Sequence, residues 1–203
     1  MTKVMIAMPV YGTMPVKTVS SLIGLICHYI DNVSVSVQFQ VDSLIYSARN
    51  DLSQKAIDGG YDYILWIDAD MIFPADALER MLKHDVDIVT GLYFQRRGDH
   101  APVVYQYNLI TQKFETFNPG PQSDGLYRVD ACGFGIVLTK VSAIKDIIAA
   151  SGGLLFHPYG TMGEDLSFCY RYHSIGGEIW LDASIKCGHI GEYVFTQDDY
   201  IPL

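Results

Sequence analysis

Residues 63–67, Tyr-Ile-Leu-Trp-Ile, form an unbroken apolar run that stops at Asp68-Ala69-Asp70. Apolar and aromatic residues without polar alternation predict a strand buried on both faces, the pattern of a parallel sheet covered by helices. Two carboxylates at the end of such a strand stand where open α/β sheets bind ligands. Carboxylates are hard oxygen donors suited to Mg²⁺ or Mn²⁺ holding a phosphate. The plainer alternative is a polar turn that ends a strand.

The surrounding segments alternate in type. A strand is predicted over residues 3–8, followed by a loop Pro9-Val10-Tyr11-Gly12-Thr13, with Pro15 opening a helix at its first turn. Val16, Val19, Leu22, Ile23, Ile26 and Ile30 fall at helical spacing and predict one buried apolar face. Val33, Val35, Val37 and Phe39 alternate with polar residues, as in a half-buried strand. Helices are expected over 48–57, stopped by Gly59-Gly60, and over 75–84 after Pro74, with a strand over 88–94. This order implies a mostly parallel sheet with right-handed crossovers.

Beyond residue 100 the pattern shortens. Strands are predicted over 103–108, 114–117 and 126–131, parted by Asn118-Pro119-Gly120-Pro121 and Ser123-Asp124-Gly125, so a smaller antiparallel part is expected in the second half. A strand over 134–138, helices over 141–149 and 165–174, and strands over 179–181 and 185–187 complete the chain. No repeat, low-complexity tract or linker interrupts it, so 1–203 reads as a single domain. The polar and aromatic stretch 192–203 reads as a lid or a frayed end.

With 49% hydrophobic and 18% charged residues, the chain can build a full core and is not disordered. Its net charge of -9 argues against a broad basic nucleic-acid surface and suits a cleft that holds divalent cations. Arg96-Arg97 reads as a local basic patch or a solvated loop. Cys27, Cys132, Cys169 and Cys187 form no C-x-x-C pair and sit in apolar stretches, as buried thiols of a reducing compartment would. The first residues lack a signal-peptide pattern, and no apolar run approaches the ~20 residues of a membrane helix. A cytoplasmic protein is expected.

Further polar groups sit at predicted element ends. Arg49-Asn50 lies at a helix start, Cys132-Gly133-Phe134-Gly135 at a strand edge, Gly163-Glu164-Asp165 at another helix start, and His189 between glycines in Gly188-His189-Ile190-Gly191. Carboxylates in a first helical turn are stabilised by the backbone dipoles. A guanidinium such as Arg49 forks well onto oxyanions, or forms a structural bridge to Asp68 or Asp51. Glycine within a strand marks close approach of a ligand or a tight strand crossing. For Glu164-Asp165 the plain alternative is a capping pair, and for His189 a satisfied turn histidine.

With the loop Ala7-Met8-Pro9-Val10-Tyr11 and the segment Ile67-Asp68-Ala69-Asp70-Met71, these pieces resemble a GT-A glycosyltransferase over nearly the whole chain. The resemblance is to small, soluble, bacterial or phage-type members, which would place the protein in the host cytoplasm if phage-encoded. It implies a single-domain, Rossmann-like α/β fold with a nucleotide-binding half (1–100) and an acceptor-binding half (101–203). It further implies that Pro9, Val10 and Tyr11 form the nucleobase pocket, with Tyr11 stacking, and that Arg49, Asn50, Asp68 and Gly133 also contact the donor. Asp70 and His189 would ligate Mn²⁺ (or Mg²⁺), with Asp68 binding the ribose or reaching the metal through water. Asp165 would be the general base of an inverting transfer, and Glu164 would hold the acceptor or the base. Tyr159 and His157 would line the acceptor side, whereas Trp66 and Trp180 read as core.

The implied reaction moves a sugar from a nucleotide-diphosphate donor, of uridine or guanosine, to a hydroxyl of a glycan, protein, small molecule or modified DNA base. A non-catalytic nucleotide-sugar-binding module is the alternative of another class. A nucleotidyltransferase ranks lower, because residues 8–16 carry one glycine and no basic residue. A plain structural domain would use Asp68 and Asp70 as turn residues. Tyr105, Tyr107, Phe114 and Phe117 read as an interface or as a half-buried sheet.

Overall fold

A computed structural model describes residues 1–96, 100–120 and 124–191. The strands are β1 (Thr2–Val10), β2 (Val33–Val41), β3 (Tyr63–Ile67), β4 (Met71–Ile72), β5 (Ile88–Leu92), β6 (Val104–Asn108), β7 (Lys113–Thr116), β8 (Leu126–Val129), β9 (Ala131–Cys132), β10 (Ile136–Lys140), β11 (Ile179–Lys186) and β12 (Gly188–His189). The helices are α1 (Val16–Cys27), α2 (Ile45–Asp58), α3 (Ala77–Lys83), α4 (Val141–Ser151) and α5 (Glu164–Ser174).

Seven strands form the central sheet in the order β2-β1-β3-β10-β5-β11-β8. β1 pairs in parallel with β2 and β3, and β5 with β11; β10 and β8 run against their neighbours. Five strands therefore share one direction, and their carboxyl ends line one edge. Period-two alternation sends each strand's side chains to opposite faces. Met5, Ala7, Ile64 and Trp66 enter one apolar cluster; Val4, Ile6, Met8, Leu65 and Ile67 enter the other. All nine are fully buried, which is why residues 63–67 carry no polar position.

The small sheets are antiparallel, β7-β6-β9 in the second half and β12-β4 beside the site. The aromatics of the first close on the core: Tyr107 and Phe114 meet edge-on at 5.2 Å, and Tyr105 and Phe117 are partly buried against the larger cluster. That arrangement is the half-buried sheet and not an exposed interface.

Several expectations are corrected. β1 runs on through Pro9 and Val10, because Val10 keeps its register with Val41 of β2. The predicted stripe on α1 is buried only in part: Leu22 faces the core with Thr18 and Leu25, and Ile30 packs against it beyond the helix, whereas Val16, Val19, Ile23 and Ile26 are exposed. Cys27 is exposed, and only Cys132 and Cys169 are fully buried. The stretch 192–203, and Arg97 of the Arg96-Arg97 pair, lie outside the described residues. No described helix is long and apolar enough to cross a membrane.

Gly133 and Gly135 flank Phe134 where β10 begins. A Cβ on Gly133 would overlap the Tyr93 hydroxyl and come within 2.6 Å of Val103 Cγ1; one on Gly135 would lie 2.7 Å from Tyr93 Cζ. Tyr93 is buried, and its hydroxyl accepts the Gly135 N–H at 3.1 Å, so it cannot step aside. Gly133→Ala is expected to lower stability by about 1–3 kcal/mol in urea unfolding, the range for overpacking a core. Gly24→Ala, in the middle of α1 with its new Cβ at an ordinary 3.6 Å from Ala75 Cβ, is expected to raise stability by about 0.4–1 kcal/mol. Equal losses for both would mean that close packing is not what selects glycine at 133.

Candidate active site

The carboxyl edge of the sheet gathers charged side chains from distant parts of the chain. Arg49 sits in the first turns of α2 with its side chain almost wholly buried. Its Nη2 donates to Asp68 Oδ1 at 2.9 Å, where β3 ends, and its Nη1 donates to Glu164 Oε1 at 2.5 Å, where α5 begins. The guanidinium carbon lies 5.2 Å from the ring centre of Phe134 and 5.9 Å from that of Phe156. Planar charge over aromatic faces is a favourable setting for arginine and a poor one for lysine. The bridge partners are Asp68 and Glu164; Asp51 is exposed on the far side of the helix.

Asn50 is engaged by the loop that follows α4. Its Oδ1 accepts the Phe156 N–H at 3.1 Å, and its amide lies 3.5 Å from His157 Nδ1. It therefore pins the loop that carries Phe156 beneath Arg49. The backbone of Asp68 is fixed by its N–H donating to the Gly135 carbonyl at 3.0 Å.

Asp70 and His189 are brought together by the β4–β12 pairing, which sets Met71 opposite His189. The Ile190 N–H donates to the Asp70 carbonyl at 2.8 Å. His189 Nε2 lies 3.6 Å from Asp70 Oδ1, and Nδ1 is 2.9 Å from the Phe94 carbonyl, to which it donates. That second bond leaves Nε2 facing the carboxylate, the orientation a ligating histidine needs. Arg96 holds the other Asp70 oxygen at 2.7 Å. Arg96 thus reaches the site from a loop, with its side chain still 45% exposed. Asp68 is taken by Arg49, and among the described residues no group of three or more His, Cys, Asp or Glu converges on one point. Asp70 and His189 form a two-donor pair, which fits a cation that completes its shell with substrate phosphates and water.

Asp165 opens α5 beside Glu164, its Oδ1 accepting the Leu166 N–H at 2.7 Å. Burial, with the neighbouring Glu164 charge adding to it, holds Asp165 above the usual carboxylate range against the opposing pull of Arg49. Asp68 is also raised, by burial first; Asp70 and Glu164 add to this, and the single guanidinium does not cancel them. Asp70 goes the other way: burial opposes its ionisation, but His189 and Arg96 prevail and keep it low. The Asp70 carboxylate facing its Nε2 raises the His189 imidazole.

The proposed nucleobase pocket is mixed. Pro9 is buried and Val10 packs against the core, whereas Tyr11 is 85% exposed at the end of β1 and does not pack under the sheet. Gly133 is buried with Tyr93 and Val103 filling its Cβ direction. On the other flank Tyr159 stacks on Tyr170 at 5.5 Å, and His157 lies 5.9 Å from Tyr46. Trp66 is fully buried and Trp180 packs against the second cluster. An open depression lined by Tyr61, Tyr63, Lys140, Ser142 and Lys145 lies at the amino edge of the sheet and shares no residue with this site. Sequence reasoning missed Phe156 as the floor under Arg49 and Tyr93 as the wedge at Gly133; both look like ordinary core aromatics in the sequence.

The Anp1 family model matches residues 29–116, which carry β2, α2, β3 and Asp68-Ala69-Asp70. No curated protein matches the sequence. Among solved structures the chain is similar to A197 from STIV, with a TM-score of 0.62 and 16% identity over 95% of this chain and 87% of that one. It is also similar to GalNAc-T7 solved with UDP, GalNAc and Mn²⁺, with a TM-score of 0.64 and 12% identity. That match covers 94% of this chain and 44% of the longer one. The fold is a GT-A fold. The family match covers less than half of the chain, and the structural neighbours share its fold.

Arg96 occupies an oxygen that a metal would use. Arg96→Ala is therefore expected to tighten binding of Mn²⁺ alone several-fold in calorimetric titration, with folding unchanged. An unaltered affinity would mean that Arg96 and the cation do not compete for Asp70.

Proposed function

We propose that the protein is a metal-dependent glycosyltransferase that uses a nucleotide-diphosphate sugar. The observation that carries this reading is a pair of clusters at the carboxyl edge of a GT-A sheet: Asp68, Glu164 and Asp165 around Arg49, and Asp70 facing His189. Residues 1–100 would supply the donor side and 101–203 most of the acceptor side. Exposed Tyr11 has an open face on which a base can stack. A nucleoside diphosphate accompanies Mn²⁺ in GalNAc-T7, which makes Mn²⁺ the first ion to test here.

In this reading Asp70 and His189 hold the cation, which stabilises the charge that develops on the departing diphosphate. Arg49 keeps Asp68 and Glu164 in place, and Asp68 presents its remaining oxygen to the ribose. Glu164 holds the start of α5, so that Asp165 faces the acceptor. Asp165 takes the proton from the acceptor hydroxyl as that oxygen attacks the sugar, giving inversion. A raised carboxyl suits this work, because a stronger base removes the proton more readily.

The first test is calorimetric titration of a nucleoside diphosphate panel with Mn²⁺, then with chelator, on wild type and Asp70→Ala. Metal-dependent binding of one diphosphate, lost in the variant, is expected. A folded sample that binds none would leave Asp68 and Asp70 as turn residues. A second test follows release of nucleoside diphosphate from the sugar nucleotide. Asp165→Asn is expected to abolish turnover while donor affinity stays within about threefold. Because Asp165 must be ionised to act, the acid limb of wild-type kcat/KM should fall above the ordinary Asp value of about 3.9. Binding without turnover in wild type, whatever the acceptor offered, would favour a non-catalytic module.

A further inference from the structure

The two edges of the central sheet differ. β8 is four residues long and carries Arg128, paired with Glu178 at 3.1 Å, so that edge is short and charged. β2 is nine residues long, about 30 Å at the usual rise per residue, and contains no charged residue and no proline. It pairs with β1 over nine consecutive positions without a bulge, and among the described residues no strand lies on its outer side. Natural sheets blunt open edges with charge, proline, bulges or brevity, and β2 uses none of these.

The helix beside this edge is also incompletely covered. Successive helical residues turn by about 100°, which divides α1 into three faces. Thr18, Leu22 and Leu25 face the core. Ser21, Gly24 and His28 face the α3 side: Ser21 Oγ accepts the Phe73 N–H at 3.3 Å, Gly24 abuts Ala75, and His28 meets Glu79 at 2.8 Å. The remaining face points away from α3, toward the β2 edge. It carries Val16, Val19, Ile23 and Ile26, exposed by 80%, 36%, 56% and 47%. Their 3-4-3 spacing is that of a seam between two helices. Phe39 and Val41, 46% and 53% exposed, extend the apolar surface along the same face of β2.

We propose that this surface binds a second copy of the chain, with β2 pairing antiparallel to β2 across a two-fold axis near Val37 and α1 packing on α1. A two-fold interface must be self-complementary, and a strand edge beside a helix seam is. The pairing joins two seven-stranded sheets into one and lays both α1 helices on the same face. The exposed side chains amount to roughly 500 Å², which with the strand edge approaches the ~800 Å² per partner of a stable interface. Charge argues against a membrane as the occupant. α1 holds one basic residue, Lys17, and the chain carries -9, so anionic lipid would repel it.

The test is sedimentation velocity and light scattering on the full chain from low micromolar concentration upward, with amide hydrogen exchange read on Val33–Val41. Wild type should show twice the chain mass of 22.7 kDa, with alternate β2 amides protected. Ile23→Lys should be a folded monomer whose outer β2 amides exchange rapidly; Ile23 is exposed, so the monomer tolerates the change. A wild type that stays monomeric at every concentration overturns the proposal. So does a dimer that survives Ile23→Lys, or co-flotation of the monomer with mixed phosphatidylcholine and phosphatidylserine vesicles.

Discussion

The fork of the buried Arg49 onto the half-buried Asp68 and Glu164 is the contact on which the site depends. It joins α2, the end of β3 and the start of α5, elements separated by up to 115 positions in the chain. The guanidinium is buried while Asp68 and Glu164 keep part of their surface in solvent, so Arg49 is the member that most needs its partners. The fork is supported from below. Trp66, Phe134, Phe156 and Phe168 pack edge-on or stacked at 4.7–6.0 Å, and Asn50 ties Phe156 to the same helix turn that presents Arg49. Position 49 thus fixes two carboxylates, and position 50 fixes the floor beneath them.

The fork does not neutralise the site. One guanidinium faces Asp68, Glu164 and Asp165, and all three raise the affinity of Arg49 for its proton. An excess of negative charge in a partly dry cleft favours protons or cations. Asp68 and Asp165 respond by holding protons more tightly than free carboxylates do. Asp70 instead meets its demand with Arg96 and His189. The three aspartates therefore reach different states from the same residue type, and the one that stays readily ionised is the one beside His189.

Much of this was legible in the sequence where a local pattern and its tertiary partner agree. Residues 63–67 had to be a doubly covered strand, and the structure gives those bounds. Gly163-Glu164-Asp165 opened a helix as expected. The α1 stripe held at Leu22 and Ile30 and failed at its other four positions for a definite reason: period 3.6 identifies an apolar face but not what it meets, and α1 has two faces able to pack. β4 and β12 were invisible because a two-residue strand has no period, and their pairing spans positions 71 and 189. That pairing is what brings His189 to Asp70, so the geometry of the ligand pair lay beyond any local reading. The Arg96 partner was not legible, because an exposed loop arginine looks the same in a sequence whether or not a carboxylate waits opposite.

The same charges link the site to the fold. A carboxyl raised on folding lowers stability at pH values above its unfolded pKa, and the penalty fades as pH falls and the proton returns. Asp68 and Asp165 have that sign. Asp70 has the reverse: its stabilisation is present above its unfolded pKa and is lost as pH drops through its lowered folded value. Near neutrality the fold holds Asp68 and Asp165 under strain while Asp70 favours the folded state; as pH falls, the strain fades first, above the ordinary carboxylate pKa, and the Asp70 contribution is lost below it. A ligand that brings positive charge to this edge relieves the first two, and it can exist only where the fork has already assembled them. Order at Arg49 therefore comes before binding, and binding in turn stabilises the arrangement that made it possible.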